Sequence, residues 1–455
     1  MLTVISESDV CHAEWSLRRQ EEWYRRFVKV LSLCLRITRM RDGLCCFIKQ
    51  KERMTEMLTL DRIFNASVVL KDILRDTLVI KANGIAPSCD LYLKPECLQI
   101  TGSFKVRGSG YKIANLTDEE KERGVIACSA GNHAQGVALA ASKYGIRSLI
   151  CLPDSAPISK VEATKAYGAD VCLVNGVYDD AYRKALELRD EMGYTFVHPF
   201  DDEDVIAGQG TIGLEIIQAL DDVDAVIVPV GGGGLISGIA CAVKSVSPKT
   251  KVYGVQAAGA PSMYNSVRDG KIESLGSVST IADGIAVKQP GENTFELVNR
   301  YVDDICLVSE DEIAAAILAL IEKQKMTAEG AGAVSVAAAM FDKLPIAGKK
   351  VVSVVSGGNI DVTSLSRVIE RGLIKSGRKS MLAIELVDKP GQLREVSRII
   401  AEQGGNVTGV NYEQTGSTES INSCVLRISM ETRNYEHVQS ISQALADAGF
   451  KNTQA

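Results

Sequence analysis

From Val125 onward the chain repeats one rhythm, and that rhythm limits the fold more than any other feature. A short apolar run leads into a glycine or polar turn, then into a stretch with helical spacing. Residues 125–128 run into SAGNHAQG and a helix to Tyr144, 148–152 into PDSAP and a helix through Ala166, and 171–174 into a helix over 179–192. Residues 225–230 are wholly apolar, as expected of a strand buried on both faces, and lead into GGGGL and a helix over 236–246. Residues 252–256 make a further strand, 313–323 and 331–340 read as helices, and strand 350–355 ends at SGGN. Ahead of these lie a helix over 58–74, a short strand at 91–93 before Pro95, and a helix over 106–114 opened by 101–106. Alternation of this kind predicts parallel sheets with helices on both faces. It makes the fold class α/β, with two lobes and a cleft between them.

The 455 residues are 46% hydrophobic, enough for two or three domains with substantial cores. A net charge of -6 argues against nucleic acid or an anionic membrane as partner. No apolar run reaches the length of a membrane span. The 12 cysteines lack zinc-site spacing and sit largely in apolar runs, the usage of a reducing, cytoplasmic compartment. With four histidines, no metal centre is expected.

Residues 1–53 are arginine-rich, hold both tryptophans and lack the rhythm, so they read as an N-terminal extension without an assignable role. Residues 54–374 carry the rhythm and are expected to form one larger unit, with a small lobe over roughly 103–200 set into a larger one. The linker KSGRKS, 375–380, leads into a small C-terminal α+β domain, 381–455. Its order is strand 381–387, turn DKPGQL, helix to Gln403, strands 407–412 and 423–430, and helix 435–448. A unit of that size is expected to bind or assemble rather than to house a second active site.

Four segments carry the chemistry. TGSFKVRG holds Lys105 beside Phe104, with Arg107 two positions on. A lysine is most often a solvated side chain, and only the company of the other three segments favours a nucleophilic amine. Gly231, Gly232, Gly233 and Gly234, ahead of Leu235, follow a buried strand and open a helix. They suit a phosphate held on backbone amides, or else a flexible turn. In SAGNHAQ, Ser129, Gly131 and Asn132 sit at a strand end and can hold a carboxylate or a ring hydroxyl, although Ser129 is equally a helix cap and His133 a packed histidine. In VVSGGN, Ser356 either faces the cleft or bonds its own turn. An amine, a phosphate cradle and two polar loops at the carboxyl ends of parallel strands fit a lysine imine with pyridoxal phosphate.

Together, TGSFKVRG, ACSAGNHAQGVALAA, VPVGGGGLISGIA, TIADGIAV and VSGGN resemble the pyridoxal-phosphate enzymes of the tryptophan-synthase-β class, fold type II, and within it the threonine dehydratases (threonine ammonia-lyases). The resemblance runs from about Met57 to Ile374. It implies that Lys105 forms the imine with Phe104 near the ring, and that Asn132 bonds the ring hydroxyl. It further implies that Gly231, Gly232, Gly233, Gly234 and Leu235 hold phosphate, and that Ser356 faces the pyridine nitrogen. Ser129, Gly131, Asn132 and His133 would then surround the substrate carboxylate. The implied reaction is deamination of threonine to 2-oxobutanoate and ammonia, with serine as a side substrate.

The tail resembles an ACT domain, which implies an amino-acid or nucleotide effector, although KNTQA after Phe450 makes a poor fourth strand. The family further implies a homodimer or homotetramer. Serine racemase is the nearest relative to exclude. Ala130 stands where that family carries a second acid/base serine, and Gln256 and Ser262 stand where it carries metal-binding carboxylates. A serine dehydratase, a serine/threonine racemase and a non-enzymatic amino-acid sensor are the competing readings.

Overall fold

The computed structural model describes residues 58–413 and 423–454; the expectation for residues 1–53 lies outside them. The strands in chain order are β1 (Ile80–Lys81), β2 (Asp90–Pro95), β3 (Val125–Cys128), β4 (Ser148–Pro153), β5 (Asp170–Val174), β6 (Thr195–Phe196), β7 (Ala225–Pro229), β8 (Lys251–Ala257), β9 (Asp304–Val308) and β10 (Lys350–Val355). β11 (Lys379–Val387), β12 (Asn406–Glu413), β13 (Ser423–Glu431) and β14 (Asn452–Gln454) follow. They form three sheets. A six-stranded sheet has the order β1-β2-β10-β7-β8-β9, parallel except for the β1 edge. A four-stranded parallel sheet has the order β5-β4-β3-β6. The third, β12-β13-β11-β14, is antiparallel.

The alternation seen in the sequence is a consequence of this layering. Every residue of β3 and β7 is buried, because helices cover both faces of a parallel sheet. Crossover helices return each strand to the same edge, so the loops after β3, β7 and β10 all open toward one side.

Helix Glu203–Ala219 packs against both Lys105–Ala114 and Gly234–Val246, and no expectation from sequence covers it. Gly208, Gly210 and Gly213 make it read as a broken segment. In the structure they are contact points: a Cβ on Gly210 would come 2.9 Å from Gly238 O, and one on Gly213 2.9 Å from Ile239 O. The missing side chains let the helices approach closely.

Two further departures have local causes. The helix expected to Lys323 ends at Ala319, and a wider turn over Leu320–Gln324 finishes at Lys325, φ 56°. The C-terminal residues do form a fourth strand: β14 pairs with β11 from Leu382↔Gln454 to Ile384↔Asn452. A three-residue polar edge strand has no hydrophobic signature. It is held by backbone pairing and by Asn452, whose Nδ2 donates to Ser442 O at 3.0 Å. The core beneath this sheet is apolar, with Leu382, Ile384, Leu426, Ile428 and Ile441 buried.

Candidate active site

Lys105 is the first residue of helix Lys105–Ala114. The turn ahead of it is stitched to the loop after β10. Phe104 N donates to Ser356 O at 3.1 Å, Gly358 N donates to Gly102 O at 2.9 Å, and Ser103 bridges Gly357. Behind the helix, Arg107 is fully buried and anchored to Glu96, Glu215 and Thr211. The lysine therefore projects from a fixed base.

Its Nζ donates to Pro199 O at 2.7 Å and lies 5.2 Å from the Phe104 ring centroid. Burial lowers its pKa to about 8, with Glu329 pulling the other way. An amine near that value is uncharged, and so nucleophilic, far more often than an ordinary lysine.

The tetraglycine turn leaves β7 and opens helix Gly234–Val246. It rests on Phe200, the neighbour of the residue that accepts from Lys105. A Cβ on Gly232 would come 2.5 Å from the Phe200 ring, and one on Gly234 2.7 Å from Phe200 O. Gly233 adopts φ +100°, which favours glycine. No backbone carbonyl among the described residues takes the amides of Gly231 to Leu235. Free amides at the start of a thirteen-residue helix fit a phosphate. The amine and the glycine turn thus converge on one segment, Pro199 and Phe200.

After β3 the SAGNH segment opens helix Asn132–Lys143. Ser129 Oγ accepts from Gly131 N at 3.1 Å, and the helix start has no side-chain cap. Space beside Gly131 is open, and the exposed helix dipole favours an anion such as a carboxylate. Asn132 Nδ2 donates to Glu329 Oε1 at 2.7 Å. His133 is buried with Nε2 2.8 Å from Val197 O; burial, then Lys105, lowers its pKa to about 3. It is neutral, with an unpartnered Nδ1, and packing is its structural role. Ser356 is buried at the end of β10, and its carbonyl holds the lysine turn.

Three groups at the site drew no expectation from sequence. Glu329 is buried, and burial, then Asp283, raises its carboxyl to about 7. A glutamate directly ahead of the small-residue run GAGAVSVAAAM was the available signal, but acids are also ordinary near helix starts. Pro199 and Phe200 carry no motif. Lys160 pairs with Asp283 at 2.9 Å and Lys288 with Asp179 at 3.2 Å, both exposed links between the parts carrying the two parallel sheets. Among the described residues no cluster of metal-binding side chains occurs and no helix is long and apolar enough to cross a membrane.

A lysine of lowered pKa beside the loop after β10, packed on the same segment as a glycine-rich helix start, suits the α/β enzymes that carry an aldehyde phosphate on a lysine. The chain belongs to the pyridoxal-phosphate dependent enzyme family, whose model matches residues 70–357. Its cofactor is pyridoxal phosphate and its fold is type II. The L-threonine ammonia-lyase of Thermotoga maritima is 49% identical over 397 residues, 87% of this chain and 99% of that protein. Processed threonine deaminase isoform 2 from Solanum lycopersicum superposes with a TM-score of 0.66 at 39% identity, covering 69% of this chain and 89% of that one. Maize serine racemase gives the same TM-score at 34% identity, covering 70% of this chain and 98% of that one.

Proposed function

We propose that this chain is a threonine ammonia-lyase that converts L-threonine to 2-oxobutanoate and ammonia, and serine to pyruvate more slowly. The observation that carries this reading is the Lys105 amine, half-buried and lowered to about 8, bonded to Pro199 beside the Phe200 on which the tetraglycine turn packs. Gly231 to Leu235 would hold the phosphate, Asn132 the ring oxygen, and Ser356 the ring nitrogen through a neutral hydroxyl, with Phe104 beside the ring.

When bound, pyridoxal phosphate takes the substrate amine and withdraws electrons from its α-carbon. The protein's own residues do the rest. The uncapped helix start at Gly131 and Asn132, with Ser129, holds the substrate carboxylate and fixes which α-bond faces the lysine. Lys105 Nζ, whose lowered pKa raises the share of uncharged amine well above that of an ordinary lysine, removes the α-proton as general base. The α-proton taken up by Lys105 and the β-hydroxyl leave together as one water, and the resulting enamine tautomerises and consumes one water to give 2-oxobutanoate and ammonia.

Ala130 favours elimination over racemisation, since alanine offers no proton on the opposite face. Removal of the α-proton is common to both reactions, so chiral analysis of serine and threonine after incubation separates them. A purified protein of this kind shows an absorption band that borohydride bleaches and forms 2-oxobutanoate from threonine, and Lys105→Ala loses both. Turnover retained in Lys105→Ala would overturn the proposal. An amino-acid or nucleotide effector acting through residues 381–455, a homo-oligomer and a cytoplasmic location complete it. Truncation after Lys375 should spare turnover and abolish any response to isoleucine, valine, AMP or ADP.

A further inference from the structure

Asn359 ends the SGGN segment and supplies no group to the cofactor site proposed above. Its Nδ2 donates at 2.7 Å to Thr101 O and at 2.7 Å to Asn132 Oδ1. Asn132 Nδ2 in turn donates to Glu329 Oε1 at 2.7 Å. One end of this chain is a main-chain carbonyl, which can only accept. Asn359 must therefore present its nitrogen there. The same nitrogen claims the oxygen of Asn132, so the NH2 of Asn132 is turned the other way, toward Glu329. One of its two N–H groups goes to that carboxyl and the other is left for the cleft. A side-chain amide alone has two orientations of similar energy, and this contact leaves one.

The backbone is shaped around the contact. Gly102 adopts φ +70°, and a Cβ there would fall on the Asn359 amide. Three chain segments far apart in sequence thus meet at one side chain: the lysine turn, the asparagine loop and the loop after β10.

We infer that Asn359 is a positioning residue that holds the Asn132 amide with an N–H, rather than its oxygen, toward the ring oxygen of the bound cofactor. The inference rests on the cofactor pose proposed above. Without Asn359 the Asn132 oxygen loses its donor and only the contact to Glu329 still holds the amide, so it more often turns its oxygen to the ring oxygen, setting lone pairs against lone pairs. The donor that favours the ionised ring oxygen is then lost.

The test uses the holoenzyme and two readouts besides turnover: the dissociation constant for pyridoxal phosphate, and the position and pH titration of the visible band. Asn359→Ala, and Asn359→Ser as a smaller polar replacement should the alanine variant fold poorly, are each made alone and in an Asn132→Ala background. Alone, Asn359→Ala should weaken cofactor binding about tenfold and shift the band. In the Asn132→Ala background the same change should alter either readout by less than about twofold, because the residue acts through Asn132. An equal effect in both backgrounds, or none in either, would overturn the inference. Wild-type protein with no borohydride-sensitive band would overturn the cofactor pose itself, and the inference with it.

Discussion

Replacing Arg107 by methionine should destabilise the catalytic region far more than a single surface charge would. Arg107 is fully buried, donates to Glu96 at 2.8 and 2.9 Å, to Glu215 at 2.9 Å and to Thr211 at 2.9 Å. Burial opposes its charge, yet Glu215 and Glu96 hold its pKa above the ordinary arginine value. Lys94, also buried, pairs with Glu215 at 2.5 Å and stands 3.9 Å from Glu96, so the cluster holds two cations and two carboxylates. With Arg107 gone, Glu96 keeps Thr77 Oγ1 at 2.6 Å and the distant Lys94, and is left as an uncompensated buried charge. Such losses cost about 3–5 kcal/mol, or about 5–7 °C in melting temperature for a unit of this size. Adding Glu96→Gln to Arg107→Met should recover part of the loss, since Lys94 and Glu215 then balance. Melting curves of wild type, both single variants and the double variant at one scan rate measure this. A loss under about 1 kcal/mol for Arg107→Met, or a double variant worse than the sum of its parts, would refute the reasoning. Because Arg107 lies two residues from Lys105, the cofactor band should broaden in parallel.

Other outcomes follow from the site. With Lys105 lowered to about 8, the rate at which apoprotein takes up pyridoxal phosphate should climb as pH rises through about 8 and then level off; an amine at its ordinary 10.5 would keep climbing. Glu329, raised to about 7 by burial and then by Asp283, should give a step near pH 7 in the cofactor absorbance, absent in Glu329→Gln. Asp283→Asn removes a nearby negative charge and should move that step to lower pH; an unmoved step would remove Asp283 as a cause. Gly233→Ala forces φ +100° on an alanine and brings its Cβ 2.6 Å from Met263 Cε and 2.8 Å from Thr294 Cβ. The strain is of order 1–3 kcal/mol, so cofactor binding should weaken about tenfold or more. Gly270→Ala, also at positive φ but with open space around its Cβ, should leave cofactor binding unchanged.

The α/β class, most of the strands and the four motif segments were legible in the sequence alone. Each is a contiguous stretch whose local chemistry is visible: an apolar run for a buried strand, glycines where amides must be bare, a lysine between small residues. Tertiary structure decided how they combine. Asn359 meets Thr101 across 258 positions and Asn132 across 227, and Glu329 meets Asn132 across 197, so no window along the chain contains such a contact. Helix Glu203–Ala219 was hidden because its glycines look like breaks until the neighbouring backbones are seen pressing on them. β14 was hidden because a short polar edge strand draws its order from the strand beside it. The pKa values of Lys105 and Glu329 belong to neither residue alone. They come from the low-dielectric surroundings that distant segments build around each group, and only folding brings those segments together.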